Sequence, residues 1–155
     1  MRIDRYDRAI LDALQRDGAL TNAGLSELVN LSASQCSRRR AALEAAGMIE
    51  GYAARLNARK LGFGLRAMVR VNLKDHGKGT DRDFAAFLES APEVASAFSV
   101  SGDADYILEI RTADLEAFAA FIHGRLLPHP QVGQVRSDIV LKTLKDRAGL
   151  DLSAV

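Results

Sequence analysis

The 155-residue chain is 48% hydrophobic and 26% charged, an ordinary composition for one or two small globular domains. Its net charge of +1 excludes a polycation, and its single cysteine, Cys36, excludes an intrachain disulfide framework. The three histidines lack metal-ligand spacing, and neither a signal peptide nor a run of about 18 apolar residues occurs. We therefore expect a cytoplasmic protein with no metal, no cofactor and no membrane partner.

The charge is distributed unevenly along the chain. Residues 1–60 carry ten basic and seven acidic side chains, whereas residues 61–155 carry 11 and 13. A mildly basic N-terminal part joined to a mildly acidic C-terminal part fits a nucleic-acid binder with an attached module of another kind.

The first two predicted helices are short and amphipathic. Asp4 caps the first helix, which runs to Asp17 and ends at Gly18. Its apolar stripe is formed by Ile10, Leu11 and Leu14. Thr21 caps the second helix. The single apolar face of this second helix consists of Leu25, Leu28 and Val29.

A third helix follows after a short turn. Ser32 and Gln35 have the S-x-x-Q spacing of a capping box, and Gly47 suits the left-handed position after the helix. Two short helices joined by a turn of about three to four residues form a helix-turn-helix. Three consecutive arginines follow the cap, and guanidinium groups suit phosphates and the guanine edge. A solvated basic helix face is the alternative, but the capping box, the turn and the preceding helix favour DNA binding.

The candidate DNA contacts combine the third helix, the caps and the segment after it. Near the helix N-terminus a glutamine can read adenine, and serines can contact bases or phosphates. The candidates are Thr21, Ser32, Ser34, Gln35, Ser37, Arg38, Arg39, Arg40 and Arg55. Residues 48–56, here called the arm, are expected to be extended or a wing strand, with Arg55, Arg59 and Lys60 near phosphates. Residues 57–64 are the expected hinge, made flexible by Gly62 and Gly64.

The rest of the chain alternates strands and helices. Residues 65–73 alternate apolar and polar residues and predict a half-buried strand. Further strands are expected at 94–100, with Val94, Phe98 and Val100 on one face, at 106–111, and at 132–144, the longest. Helices capped by Thr80 and Thr112 separate them. The core residues of these helices are Phe84, Phe87 and Leu88, and Leu115, Phe118, Ala119 and Ile122.

The order strand, helix, strand, strand, helix, strand is that of a ferredoxin-like α+β domain. Both helices would cover one face of the sheet and leave the other bare. A bare face is a natural dimer surface, so we expect a homo-oligomer. Its expected lining residues are Met68, Ala97, Ile107 and Val140.

The turn between the second and third strands is the other informative stretch. Its residues are Ser101, Gly102, Asp103, Ala104, Asp105 and Tyr106. A plain hairpin turn is the alternative, because Gly and Asp favour turns. As a pocket rim, the turn would offer backbone N–H groups to a carboxylate and Asp105 to an ammonium group, which an α-amino acid needs. His76 and His123 are weaker candidates for the same site. An Asp103–Asp105 catalytic pair has no nucleophile or metal set beside it.

Three sets of residues resemble the Lrp/AsnC (feast/famine) family of prokaryotic transcription regulators. They are Asp4-x-x-Asp7-x-x-Ile10-Leu11, Leu28-x-x-Leu31-Ser32, and Arg39-x-x-x-Leu43-Glu44-x-x-Gly47-x-Ile49. The resemblance covers nearly the whole chain. One departure is Arg40, which stands where the family has an apolar residue. Either its stem lies along the core or the helix is rotated.

The resemblance implies a winged helix-turn-helix domain over residues 1–56, a linker over 57–64, an effector-binding and oligomerisation domain over 65–145 and a tail over 146–155. It implies an amino acid or related small effector near Gly102 and Asp105, and dimers that assemble into an octamer. The leading hypothesis is therefore a sequence-specific, ligand-responsive regulator of transcription that binds double-stranded DNA. An architectural DNA binder with little sequence preference is the alternative, and a small ferredoxin-like enzyme is a third.

Overall fold

A computed structural model describes residues 2–75, 77, 79–146 and 149–154. The chain separates into two compact units, residues 1–55 with 144–155, and residues 56–143. Among the described residues no helix has the length and apolar character needed to cross a membrane. His76, which was considered for the effector site, lies outside the described residues.

Helix α1 (Arg5–Arg16) begins with a reciprocal capping box. The Asp4 carboxylate accepts a hydrogen bond from the Asp7 backbone N–H (2.9 Å), and the Asp7 carboxylate accepts one from the Asp4 N–H (3.1 Å). Such a cap stabilises a helix by about 1 kcal/mol. The cap predicted at Asp4 is confirmed.

Helices α2 (Asn22–Val29) and α3 (Ala33–Ala45) form the predicted helix-turn-helix, with Thr21 and Ser32 as their N-caps. Helix α3 ends at the predicted glycine. Gly47 has φ +69°, its N–H bonds to the Glu44 carbonyl, and the Met48 N–H bonds to the Leu43 carbonyl, both at 3.0 Å. That pair of bonds is the Schellman motif. The buried core of the three helices consists of Ile10, Leu14, Leu25, Val29, Cys36 and Leu43.

One expectation for this unit is wrong, and a second is narrowed. Leu28 was placed on the apolar face of α2 but is 61% exposed, because Leu25 and Val29 alone reach the core. Of the two forms expected for the arm, the wing strand does not occur, and residues 49–56 have neither helical nor strand structure. Residues 149–154 belong to this unit as well, where the Gln15 amide exchanges two hydrogen bonds with the Leu150 backbone, at 2.6 and 3.2 Å.

The second unit is an antiparallel sheet of four strands in the order β2-β3-β1-β4. The strands are β1 (Leu65–Leu73), β2 (Val94–Ser99), β3 (Tyr106–Thr112) and β4 (Val132–Ile139). Together with α4 (Thr80–Glu89) and α5 (Leu115–Phe121), they give the predicted βαββαβ order. The half-buried alternation predicted for β1 is confirmed, and the two central strands are the most buried of the four.

Both helices pack on one face of the sheet. That face contributes Ala67, Val69 and Val71 from β1 and Leu108 and Ile110 from β3, all fully buried. The helices contribute Phe84, Leu88, Phe118 and Phe121, and a π-helical turn after α5 adds Ile122 and Leu126. Burying a large side chain of this kind stabilises the fold by about 1.5–3 kcal/mol.

A β-bulge in β2 overturns two predictions about the sheet faces. The pairing shifts between Val94, which lies opposite Ile110, and Ser96. Phe98 therefore points to the face opposite that of Val94, and Ala97 lies on the helix side. The bare face is lined by Phe98 rather than by Ala97. The strict alternation in the sequence does not show an inserted residue.

Several element ends differ from the sequence predictions. Strand β4 ends at Ile139, and Leu141 beyond it is 95% exposed, so the alternating 140–144 segment does not extend the strand. Helix α4 starts at Thr80 with Gly79 as its N-cap, and Asp114 rather than Thr112 caps α5. Leu115, predicted to be buried, is 59% exposed.

The hinge is more structured than its glycines suggested. It contains a short 3-10 helix, Arg59–Leu61. Gly64 lies against the backbone of Ala113, whose carbonyl accepts its N–H at 3.0 Å, and a Cβ at Gly64 would come within 2.6 Å of that oxygen. Gly64 is thus required by close packing in the second unit and not by flexibility.

Candidate DNA interface and effector site

The outward face of α3 is lined by small side chains around one arginine. Ser34, Arg38, Ala41 and Ala45 are exposed and fall within about 60° of one another at about 100° per residue. Cys36 and Leu43, on the opposite side, are fully buried. Short side chains let a helix backbone approach the floor of the major groove, which admits one α-helix. Ser37, also exposed, borders this face.

Arg38 differs from the two arginines that follow it. It is exposed, and within the described part of the chain it makes no hydrogen bond and no ion pair. Arg39 points inward instead, where its Nη1 lies 2.7 Å from the buried Asp7 carboxylate and 2.9 Å from that of Asp4. The Arg39 side chain therefore joins α3 to the N-terminal cap of α1.

Arg40 is also engaged within the unit. Its side chain is 21% exposed, and its guanidinium donates to the Leu20 carbonyl (2.9 Å), the Tyr52 hydroxyl (2.9 Å) and Glu44 (3.2 Å). Because Cys36 and Leu43 are buried, α3 is not rotated, and the stem of Arg40 lies along the flank of the helix. The structure does not support a common DNA-facing role for the three arginines.

The other predicted DNA contacts lie at the ends of the helices and in the arm. Ser32 and Gln35 form the capping box, in which the Gln35 amide oxygen accepts from the Ser32 N–H at 3.0 Å. Reading adenine with both amide atoms would require Gln35 to leave this arrangement. The Thr21 hydroxyl caps α2 by accepting from the Gly24 N–H at 3.1 Å. Arg55 is exposed at the end of the arm.

The turn at residues 101–105 is fastened to strand β1. The Asp105 carboxylate accepts from the Leu73 N–H (2.8 Å), and the Asn72 amide bonds to the Asp103 carbonyl (3.0 Å) and the Asp105 N–H (3.1 Å). Gly102 has φ +140°, a conformation that favours glycine. Asp105 thus helps to fix the turn. From the sequence, Asp105 was expected only to bind an ammonium group of the effector.

Beyond the turn, the Tyr106 hydroxyl donates to Asp81 at 2.9 Å, and burial together with that carboxylate raises the pKa of Tyr106. Ser101 and Asp103 are exposed, and Ala104 is buried. His123, the other weak candidate, is exposed on the turn after α5.

A polar pocket of about 420 Å³ opens beside this turn on the helix-free face of the sheet. Its lining residues are Arg70, Asn72, Asp103, Ala104, Gln134 and Arg136. Arg70 and Arg136 are register partners on β1 and β4, and Arg70 Nη1 lies 2.6 Å from Asp138. The volume falls in the range of roughly 300–1,000 Å³ typical of small-molecule sites.

Four of these lining residues were not among the sequence candidates. Arg70 and Asn72 occupy the polar face of β1, and Gln134 and Arg136 occupy the matching face of β4. Their alternation in sequence was visible, but only the pairing of β1 with β4 shows that the four lie beside the turn.

The architecture defines a class of protein: a helix-turn-helix unit whose second helix has an exposed face, joined in sequence to a ferredoxin-like unit with a polar pocket of small-molecule size. Family models agree, with winged helix-turn-helix DNA-binding over residues 3–50 and the Lrp/AsnC ligand binding domain over 66–150. The chain belongs to the Lrp/AsnC family of DNA-binding transcriptional regulators, as the sequence motifs indicated.

Its relatives match over almost their full length. The leucine-responsive regulatory protein of Rhizobium meliloti is 38% identical over 152 residues, which is 98% of this chain and 97% of that one. A transcriptional regulator of Neisseria meningitidis, solved in complex with L-Met, has a TM-score of 0.95 and 40% identity over 99% of both chains. An AsnC family regulator from Agrobacterium tumefaciens has a TM-score of 0.91 and 30% identity, covering 98% of this chain and 99% of that one.

Proposed function

We propose that the N-terminal half of α3 reads DNA in the major groove and that Arg38 is its principal contact. The observation that carries this assignment is the contrast between Arg38, exposed and without an internal partner, and the engaged Arg39 and Arg40. A guanidinium at this position suits either guanine O6 and N7 or a phosphate. Its supporting contacts, at the helix caps, on α3 and in the arm, are Thr21, Ser32, Ser34, Gln35, Ser37 and Arg55. We assign this chain a binding role and not a catalytic one, and its relatives are likewise named as regulators.

The effector is proposed to be an α-amino acid bound at the turn and its pocket. The pocket offers the guanidinium groups of Arg70 and Arg136 to a carboxylate and the Asp103 carboxylate to an ammonium group. The regulator of Neisseria meningitidis, which matches this chain along its length, was solved with L-Met. A ligand shifts a two-state equilibrium only by its differential affinity, so the effector must favour one pose or assembly of the DNA-binding units.

A thermal-shift screen of the amino acids, with L-methionine included, tests the effector assignment. A ligand at a hundredfold excess over Kd stabilises the folded state by about 2.7 kcal/mol. We expect a shift with one or a few amino acids that is lost in Asp103→Asn. The matched control is Asp114→Asn, which makes the same change at the N-cap of α5, outside the lining of the pocket. A shift that persists in Asp103→Asn would contradict the site.

We also propose that the helix-free face of the sheet joins two protomers, and that dimers associate further into an octamer. The face carries Phe98, 55% exposed, with the half-buried Met68, Ile107 and Val140. A dimer would present two α3 helices to one side of DNA, so the operator is expected to be nearly palindromic. Its half-sites would lie one helical turn, or a multiple of it, apart.

A further inference from the structure

Beyond Met48, the arm after α3 is not attached through its backbone to any other described segment. Within the described part of the chain, no backbone hydrogen bond involves residues 49–56. Ile49 is the last residue of this stretch that packs on the helical core. The course of the arm beyond Ile49 therefore depends on its side chains.

Tyr52 supplies that attachment. Its hydroxyl accepts a hydrogen bond from Arg40 Nε at 2.9 Å and donates one to Glu44 Oε1 at 2.7 Å. The Arg40 guanidinium lies 4.5 Å from the centre of the Tyr52 ring. The ring covers Gly18, where a Cβ would come within 3.2 Å of Tyr52 Cδ1.

The cluster connects three segments that are distant in sequence. Arg40 and Glu44 stand on the flank of α3, Tyr52 on the arm, and the Leu20 carbonyl, which accepts from Arg40 Nη1, in the loop before α2. An exposed i,i+4 ion pair on one helix would contribute little by itself. Here the pair is shared with a phenol from another segment, and the hydrogen bond from Tyr52 lowers the pKa of Glu44.

We propose that Arg40, Glu44 and Tyr52 form a positioning cluster that holds the arm against the recognition helix and so presents Arg55 to a DNA phosphate. Arg55 is exposed and, within the described residues, makes no hydrogen bond or ion pair. Arg40 and Tyr52 act through Arg55 and do not touch DNA themselves. The inference rests on the proposed DNA-binding role of this unit.

The expected size of the effect follows from the length of the tether. With the cluster intact, Arg55 lies three residues from its fixed point at Tyr52. Without it, the fixed point retreats to Ile49, six residues away. Each doubling of a flexible tether costs enough loop entropy to weaken a contact about threefold. The loss should therefore be about threefold for each DNA-binding unit engaged.

A double-mutant cycle tests the proposal. The variants are Tyr52→Phe, which keeps the ring and removes both hydroxyl bonds, Arg55→Ala, and the two combined. Tyr6→Phe is the matched control, since the Tyr6 hydroxyl also accepts a hydrogen bond from an arginine, Arg5, at 2.7 Å, away from the arm. Affinity for a mixed-sequence duplex is measured by fluorescence anisotropy over a range of salt concentrations.

We expect Arg55→Ala to reduce the salt slope by about 0.9, the value for one lost phosphate contact. Tyr52→Phe should weaken binding by up to about threefold per unit, since its ring still packs over Gly18. Tyr6→Phe should leave binding unchanged, and the double variant should bind no more weakly than Arg55→Ala. An equal loss from Tyr52→Phe in both backgrounds would overturn the proposal, as would an Arg55→Ala variant with unchanged affinity and slope. If Arg38→Ala is silent while this cycle is coupled, the recognition-helix assignment fails and the positioning cluster stands.

Discussion

Three adjacent arginines in α3 have three different surroundings, although the sequence presents them as one basic run. Arg38 faces solvent, Arg39 neutralises the nearly buried Asp7, and Arg40 binds the loop before α2 and the arm. Helical geometry separates successive residues by about 100°, so three in a row cannot share one face. Two of the three positive charges in this run are therefore paired with groups of the same unit.

Substitution of Arg38 should therefore affect DNA binding, whereas substitution of Arg39 should affect stability. Arg38→Ala should weaken DNA binding several-fold and leave the free energy of unfolding unchanged. Arg39→Ala should lower that free energy by about 1–3 kcal/mol, because Asp7 loses its charged partner. Urea unfolding and anisotropy on both variants check this pair. Equal stability losses at the two positions would contradict the assignment of separate roles.

Glu109 makes the stability of the sheet unit depend on pH in the acid range. Burial raises the pKa of Glu109, but the hydrogen bonds from Arg66 (3.1 Å) and Arg111 (2.7 Å) outweigh it and hold the pKa below its usual value. The stabilisation is then complete above the unfolded-state value of about 4.5 and is lost as pH falls through the folded-state pKa.

Urea unfolding at pH 7 and pH 3 should show a smaller loss of stability for Glu109→Gln than for the wild type. The exposed Glu27→Gln serves as the control and should behave like the wild type. Equal acid sensitivity in Glu109→Gln and the wild type would show that the Arg66 and Arg111 bonds do not stabilise the ionised carboxylate.

At the scale of single elements, the ends of the first three helices were readable because capping is local chemistry. Asp4, Thr21, Ser32 and Gly47 were each identified from residue type and spacing within one turn of helix. The caps predicted at Thr80 and Thr112 were misplaced, because the neighbouring Gly79 and Asp114 take the cap positions. The misplaced strand features depend instead on pairing between distant segments. The bulge before Ser96 is an example, since it is defined only against β3.

The site shows the same division between local and distant information. The turn at 101–105 could be located from its glycine and aspartates. Its fastening to β1 through Asn72 could not, because residues 31 to 33 positions apart meet there. Nor could the exposure of Leu28, which has the same helical spacing as its buried neighbours.

The end of α3 offers a test with a built-in control. Gly47→Ala should destabilise the protein by about 1–2 kcal/mol, because φ is +69° there and an L-residue is strained in that region. Gly51→Ala, in the arm with nothing within 4 Å of a new Cβ, should leave stability unchanged or slightly raised. Thermal denaturation of both variants measures the difference in stability. Equal effects would mean that the Schellman motif does not fix the helix end.

For the molecule as a whole, the proposal that the helix-free sheet face joins two protomers can be tested by one substitution. Phe98→Glu should convert the proposed dimer into monomers, because it places a charge in the middle of the apolar contact. Leu115→Glu puts the same charge on an equally exposed side chain of α5 and should preserve the dimer. Analytical ultracentrifugation distinguishes the two. A dimeric Phe98→Glu variant would exclude this face as the principal interface.

Selection of binding sites from a random DNA pool tests the central claim most directly, with wild type, Arg38→Ala and the control Arg16→Ala compared. Arg16 is an exposed arginine of α1 paired with Asp12, so its removal matches the change in charge. We expect the wild type and Arg16→Ala to enrich one nearly palindromic site, and Arg38→Ala to lose that enrichment. Enrichment of the same site at the same affinity by Arg38→Ala, or of no site by the wild type, would contradict the account.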